Sequence, residues 1–193
     1  RSPGRLAIPA GFSVHGDELS EPNIVSFAIG QYDRRVLLTI DPVTTVYSGF
    51  VGVGMGYAIA VDGTGSAYVA GEGLSDSTFP ATVGPDPTYN GNAYDAIVAK
   101  VNSAGTALVY AGFIGGEGQD RGRGIAVDAN GCAYVTGFTS STSTFPLSSA
   151  FDSTHNGGWS DAFIAKVNAA GTALTFASYL GGNGGEYGLG VAV

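Results

Sequence analysis

The stretch GIAVDANGCAYVTG, residues 124–137, decides the fold, because a near copy, AIAVDGTGSAYVAG, stands at residues 58–71. The same pattern begins again as GVAV at residues 190–193. A shift of 66 positions also places Phe79 on Phe145, and roughly half of the aligned residues are identical. The chain is therefore built from tandem copies of one structural unit.

Each unit shows the alternation of apolar and polar residues that is typical of β-strands. No segment has the 3.6-residue apolar stripe of an amphipathic helix. The pattern predicts an all-β fold with four short strands in each unit. In the second copy the predicted strands are residues 124–128, 132–138, 161–167 and 173–180.

The connections between the predicted strands are unequal in length. Strands one and two, and strands three and four, are joined by tight turns such as DANG and NAAG, whose glycine suits a positive φ. Strands two and three are separated by long polar loops, residues 73–94 and 139–160. Four antiparallel strands repeated in tandem predict the blades of a β-propeller, and the repeats are too long for a β-solenoid. In a blade the long loops and the links between blades share one face, which is the expected binding face.

The repeat resembles a family known from large secreted or cell-surface proteins, the bacterial and archaeal seven-bladed-propeller-type repeat family. The matching stretches of the second copy are GIAVDANGCAYVTGFTSS (124–141), TFP (144–146), DAFIAKVNAAGTAL (161–174) and SYLGG (178–182). The resemblance extends from about residue 25 to the end. It implies an extracellular propeller, and it implies no catalytic residues that could be carried over.

The non-repeating N-terminal part is predicted to be a separate β segment, residues 1–45. Its expected strands are 6–14, 23–30 and 34–40, with a turn at 30–34 between the last two. The propeller repeats then cover residues 46–193, with the boundary around residues 41–46. Their predicted parts are a first blade at about 51–116, a second at about 117–182 and the start of a third at 183–193.

Composition excludes several classes of function. The net charge is −8 and the eight basic residues are scattered, so a nucleic-acid partner is not expected. The apolar runs reach only about five residues, which is too short for a membrane span. Cys132 is the single cysteine and offers neither an internal disulfide nor a zinc site. The acidic, lysine-poor composition fits a secreted or cell-surface protein.

No residue set predicts an enzyme. The only histidines are His15 and His155, and there is no G-x-S-x-G motif to accompany either of them. A polysaccharide hydrolase would have to pair two carboxylates from the loop face, and no spacing selects a pair. The candidate acids are Asp76, Asp86, Asp152, Glu72, Glu117 and Asp120.

Calcium is the candidate metal, although the predicted fold requires no cofactor. Glu117 and Asp120 lie close together on a Gly-rich link, where carboxylates and carbonyl oxygens suit this ion. Asp128 is predicted instead to cap an ordinary hairpin turn. Asp95 and Asp161, which open the third strands, are predicted to anchor the long loops by hydrogen bonds.

Carbohydrate recognition would use aromatic rings of the long loops together with neighbouring amides. The predicted ligand-binding residues are Trp159, Tyr94, Tyr89, Asn90 and Asn156. Phe79 and Phe145, each held before a proline, are predicted to be core plugs.

The sequence thus predicts a non-enzymatic scaffold for adhesion, assembly or partner binding through the loop face. The expected partner is a protein or a glycan, and the alternative is a lectin-like module. Two complete blades are fewer than the four to eight of a propeller. Further blades of a longer chain, or self-association, would therefore complete the ring.

Overall fold

A computed structural model describes residues 10–15, 24–29, 54–74, 79–81, 83–91 and 93–193. The chain divides into two compact units, Arg1–Thr44 and Thr45–Val193. In the first unit, β1 (Ala10–His15) pairs antiparallel with β2 (Ile24–Ile29). Both strands overlap predicted ones. The predicted strand at 34–40, the turn at 30–34 and the boundary at 41–46 lie outside the described residues.

The second unit contains two four-stranded antiparallel sheets, each a simple meander in chain order. The first sheet consists of β3 (Gly54–Val61), β4 (Ala67–Gly73), β5 (Asp95–Val101) and β6 (Leu108–Ile114). The second consists of β7 (Asp120–Val127), β8 (Ala133–Thr139), β9 (Asp161–Val167) and β10 (Leu174–Leu180). The prediction of an all-β fold is confirmed. No helix occurs in the described part of the chain, and hence none there that could cross a membrane.

Among the strands of the second sheet, β7 differs most from its predicted bounds. β7 begins at Asp120, four positions before the predicted start, because Asp120 already pairs with Thr139 of β8. Residues 120–123, expected to belong to a link, are therefore part of the sheet. This difference matters because the extra residues include Arg121 and Arg123.

Each sheet carries a β-bulge at the same place in the repeat. In the first sheet the register shifts between Gly56 and Ala58, which leaves Tyr57 without a pairing residue on β4. In the second sheet it shifts between Gly122 and Gly124, which leaves Arg123 without one on β8. Bulges redirect a side chain relative to its neighbours along the strand. Tyr57 and Arg123 are the residues so redirected.

The two sheets stack through apolar side chains that alternate along the strands. Tyr68 and Val98 of the first sheet belong to the same buried cluster as Ile125 and Phe163 of the second. Phe145 packs against Phe163, with ring centroids 5.2 Å apart. Its counterpart Phe79 packs in the same way, with its centroid 4.8 Å from that of Phe113 on the opposite face of the first sheet. The predicted plug role of both phenylalanines is confirmed.

The segment 183–193 repeats the contacts of the strand that opens the second sheet. The Glu186 amide donates to the Ser160 carbonyl at 3.0 Å, as the Asp120 amide donates to the Tyr94 carbonyl at 2.8 Å. These two pairs are related by the 66-residue shift. The segment thus lies against the second sheet as β7 lies against the first.

The long loops and the short turns lie at opposite ends of the stacked sheets. At one end, the Ser140 amide donates to the Gln119 carbonyl and the Gly118 amide donates to the Ser141 hydroxyl. We call this end the loop face; it carries the described parts of 79–94 together with 115–119, 140–160 and 181–187. The short turns lie at the opposite end, where the Tyr68 hydroxyl donates to the Gly131 carbonyl.

The short turns are closed by local hydrogen bonds, as predicted. Asp128 Oδ1 accepts from the amides of Asn130 and Cys132, both at 2.9 Å. Gly131 has φ 80°, a region that glycine adopts without strain. The Asp128 stretch is therefore a capped hairpin turn.

Candidate functional site

Buried aspartates anchor both long loops. Asp95 and Asp161 are completely buried at the start of β5 and β9. Their Oδ2 atoms accept from the amides of Asn90 and Asn156, each at 2.8 Å. The predicted anchoring role of these aspartates is confirmed.

The side chains of Asn90 and Asn156, two of the predicted ligand-binding residues, also form hydrogen bonds within their own loops. The side-chain amide of Asn90 donates to Asp86 Oδ2 at 2.7 Å, within its own loop. The side-chain amide of Asn156 donates to Asp152 Oδ2 at the same distance. Both asparagines thus hold the shape of a loop.

Tyr89, a third predicted ligand-binding residue, packs inward. Its ring meets that of Phe113 edge-on, at a centroid distance of 5.8 Å. Burial raises the pKa of Tyr89 above its ordinary value, and the Asp95 and Asp120 carboxylates add to the rise. Tyr89 lies beside Phe79 as part of the plug over the first sheet.

Glu117 and Asp120, the predicted calcium ligands, hold a loop segment in place. The Glu117 carboxylate accepts from the backbone amides and the hydroxyls of Thr142, Ser143 and Thr144. Burial opposes ionisation of Glu117, but these hydrogen bonds outweigh it and lower its pKa. Asp120 accepts from the Gly116 amide and the Ser141 hydroxyl, both at 2.9 Å. Within the described ranges, no group of three or more His, Cys, Asp or Glu residues could hold a metal ion.

Chelation should therefore leave the fold unchanged. Because protein donors already saturate the Glu117 oxygens, we expect the Tm of the purified chain to be the same, within about 1 °C, with EDTA and with excess Ca²⁺. Differential scanning calorimetry of one preparation under both conditions measures this. A Tm several degrees higher in Ca²⁺, lost in Glu117→Gln, would instead assign a calcium ion to this link.

Asp95 is also an unusual ionisable group of the loop face. Its Oδ1 atom is buried and has no hydrogen-bond partner among the residues that the structure describes. A Cβ atom on Gly115 would lie 2.7 Å from Asp120 Oδ2 and 2.9 Å from Asp95 Oδ1, so the two carboxylates are close neighbours. Burial, reinforced by the Asp120 and Asp86 charges, raises the pKa of Asp95 to about 7 although the Asn90 hydrogen bond opposes the rise.

This raised pKa predicts a pH-dependent stability. A carboxyl group whose pKa is higher in the folded state stabilises the fold below its unfolded pKa and loses that contribution as the pH rises through 7. Between pH 5 and pH 8 the Asp95 contribution to the free energy of unfolding should fall by up to about 3 kcal/mol. Asp95→Asn, which mimics the neutral form, should remove this component of the slope in urea titrations.

Asp128→Asn is the control for the pH experiment. Its hydrogen bond from the Cys132 amide lowers the Asp128 pKa, so its contribution changes only below the window of pH 5 to pH 8. An Asp95→Asn protein with the wild-type slope would show that Asp95 is ionised throughout.

The loop face also carries a cluster of aromatic side chains, two of which are exposed to solvent. Its central ring is Phe138, near the end of β8, which is 3% exposed. Trp159 and Tyr187 meet this ring edge-on at centroid distances of 5.4 and 5.1 Å, and are themselves 55% and 45% exposed. Two exposed aromatic side chains thus stand side by side over a buried one.

Two arginines flank the same central ring. The Arg121 guanidinium lies 4.7 Å from the Tyr94 ring centroid and 5.6 Å from that of Phe138. The Arg123 guanidinium lies 4.0 Å from the Tyr57 centroid and 6.0 Å from that of Phe138. We call this set the aromatic–arginine surface: Tyr57, Tyr94, Arg121, Arg123, Phe138, Trp159 and Tyr187.

The structure thus divides the five predicted ligand-binding residues. It brings Trp159 and Tyr94 to the aromatic–arginine surface, and it places Tyr89, Asn90 and Asn156 in loop anchoring and packing. Sequence reasoning missed Arg121, Arg123 and Tyr187. The alternation of DRGRG at residues 120–124 was the signal that these arginines belong to a strand.

Two comparisons with known proteins found no match. No protein-family model matches the sequence, and no curated protein matches it.

Proposed function

We propose that the chain is a non-enzymatic β-propeller-type scaffold of a secreted or cell-surface protein, and that it binds a partner through its loop face. The two stacked four-stranded sheets correspond to two blades. The segment 183–193 corresponds to the first strand of a third, because its amides repeat the contacts of β7. Resemblance to the secreted propeller repeats supports the location.

The aromatic–arginine surface carries the binding part of this proposal. Large exposed aromatic rings and guanidinium groups are the side chains most enriched at binding hot spots. Trp159 and Tyr187 remain exposed even though their edges already contact Phe138. The neighbouring loops are fixed by buried Asp95 and Asp161, so the surface is preorganised for a ligand.

A hydrolase receives less support from the loop-face carboxylates. Glu72 pairs with Arg121, and Glu117 and Asp120 are engaged by loop hydrogen bonds. Asp86 and Asp152 accept from Asn90 and Asn156 as described above. Asp76 lies outside the described residues. His155 packs edge-on against Tyr179, with centroids 5.8 Å apart, which fits a structural role.

Assembly is part of the scaffold proposal. The outer face of the first sheet exposes Ile59 and Val61, whereas Ile125, the counterpart of Ile59, is buried between the sheets. A further blade, from a longer chain or from a second copy, would cover this outer face as the first sheet covers Ile125. Light scattering of the wild type and of Ile59→Lys tests self-association: a multimer that Ile59→Lys dissociates supports it, and a wild-type monomer contradicts it.

Carbohydrate binding is the second candidate function. Exposed tryptophan and tyrosine rings supply flat apolar platforms of the kind that sugar C–H faces pack against. Trp159 has this exposure, whereas its counterpart in the first copy, Ala93, offers no ring. The platform is therefore a feature of one repeat, added to the shared scaffold.

A binding screen tests the proposed function. The full chain is applied to an array of neutral and acidic glycans and of cell-surface proteins, beside Trp159→Ala and Phe151→Ala. Phe151 is the matched control because it is 64% exposed on the same long loop but stacks on Phe176, away from the surface. We expect retention by at least one class, lost in Trp159→Ala and kept in Phe151→Ala. Absence of wild-type retention, or equal loss in both variants, would contradict the proposal.

A further inference from the structure

We propose that the aromatic–arginine surface recognises an acidic sugar, a glycan residue that carries a carboxylate. In this arrangement Arg123 pairs with the carboxylate while Trp159 and Tyr187 pack against sugar rings. The inference rests on the carbohydrate function proposed above and names its ligand class.

Arg123 is available for an anion. Arg121 forms an ion pair with Glu72, but Arg123 has no carboxylate partner among the residues that the structure describes. Its guanidinium lies 4.0 Å from the Tyr57 ring centroid, and a guanidinium that stacks on a ring can still donate hydrogen bonds from its edge. Among the described residues, Arg123 is thus a positive charge without a carboxylate partner, in a chain whose net charge is −8.

The backbone presents Arg123 in a way that a regular strand would not. The bulge between Gly122 and Gly124 removes Arg123 from the pairing register of β7 and β8. The equivalent bulge in the first sheet displaces Tyr57, and the two displaced side chains meet. Two bulges at the same position of adjacent repeats therefore build one stacked pair.

The groups of the surface gather around one ring. Trp159, Tyr187 and both guanidinium groups all lie within 6.0 Å of the single Phe138 ring. One sugar over the exposed aromatic rings and a neighbouring carboxylate at Arg123 would span this patch. Guanidinium matches a carboxylate through two parallel hydrogen bonds, which gives an acidic sugar a contact that a neutral one lacks.

The charge of the chain favours a carboxylated sugar over a denser polyanion. Phosphate backbones need many basic contacts, and here one unpaired arginine faces the ligand within an acidic protein. A single carboxylate on a largely apolar and hydroxylated ring requires only one such contact. The surface therefore fits a uronic acid better than a nucleic acid.

Isothermal titration of the full chain tests this ligand class. The probes are trisaccharides of galacturonate, glucuronate and mannuronate, each compared with its methyl ester, which keeps the sugar and removes the charge. We expect at least one acid form to bind about tenfold more tightly than its ester, with a preference that shrinks as salt is raised. Arg123→Gln should abolish the preference for the acid form and leave the affinity for the ester unchanged.

Two further variants separate the roles within the surface. Trp159→Ala should weaken the acid and ester forms alike, by about tenfold, because the ring contacts the sugar and not its charge. Lys166→Gln is the matched control: its ammonium lies 4.7 Å from the Tyr134 ring centroid at the turn end, remote from the loop face. It should bind as the wild type does.

The outcomes distinguish this inference from the function on which it rests. Equal binding of acid and ester, lost in Trp159→Ala, would overturn the acidic-sugar inference and leave carbohydrate binding intact. An acid preference that survives in Arg123→Gln would also overturn it. If no trisaccharide binds in either form, both the inference and the carbohydrate function fail.

Discussion

Ile125→Ala is expected to lower the free energy of unfolding by about 3 kcal/mol, whereas Ile59→Ala should lower it by less than about 1 kcal/mol. The two isoleucines occupy the same position of successive repeats. Ile125 is 8% exposed between the sheets and Ile59 is 67% exposed on the outer face. Truncating Ile125 removes apolar contacts and leaves a cavity at the interface of the sheets, while truncating Ile59 leaves none.

Equilibrium unfolding in urea measures both variants, at a protein concentration low enough to suppress association. The comparison is matched in residue type and local strand, so intrinsic β propensity cancels. Similar losses in the two variants would contradict the stacking of the second sheet on the first. Similar slopes with urea would show that both variants unfold from the same compact state.

Gly137→Ala should cost more than about 3 kcal/mol. A Cβ atom on Gly137 would lie 1.7 Å from the carbonyl oxygen of Arg121, on the paired strand β7. No rotamer change relieves a clash with a backbone atom, so β7 and β8 would have to separate. A Cβ atom on Gly71 would likewise lie 1.9 Å from the carbonyl oxygen of Met55, which shows that the close approach belongs to the repeat.

Gly63→Ala is the control for the clash. A Cβ atom on Gly63 would meet no atom within 4 Å, and the change should stay within about 0.5 kcal/mol. Since β7 also carries Arg121 and Arg123, Gly137→Ala should weaken ligand binding together with stability. A Gly137→Ala protein as stable as Gly63→Ala would show that the strands are farther apart at this position.

The strands of the second unit follow closely from the sequence because two local signals agree. Period-two alternation marks the strands, and a glycine at the positive-φ position closes each short turn, as at Gly131 and Gly171. The repeat doubles this information. The stacking of the sheets could be expected because each face alone leaves isoleucine, valine and tyrosine in water.

The sequence predicted two residues of the aromatic–arginine surface, Trp159 and Tyr94, but not its arginines. Exposed aromatic residues in a polar loop drew attention to Trp159, but sequence alone cannot tell an exposed ring from a buried one such as Tyr89. Asn90 and Asn156 resemble residues that bind a ligand through their side-chain amides. In the structure those amides donate to Asp86 and Asp152, and the backbone amides donate to the buried Asp95 and Asp161. Arg123 was missed because a bulge is a matter of register between two strands, which a single strand's pattern does not show.

The most direct measurement follows Trp159, the only tryptophan of the chain, by its fluorescence. The full chain is titrated with the acidic trisaccharides while emission and acrylamide quenching are recorded. The account predicts a saturable change in emission and protection of Trp159 from acrylamide, both of which require about tenfold higher ligand concentrations in Arg123→Gln. Binding detected by calorimetry without any change at Trp159 would place the ligand elsewhere and contradict the account.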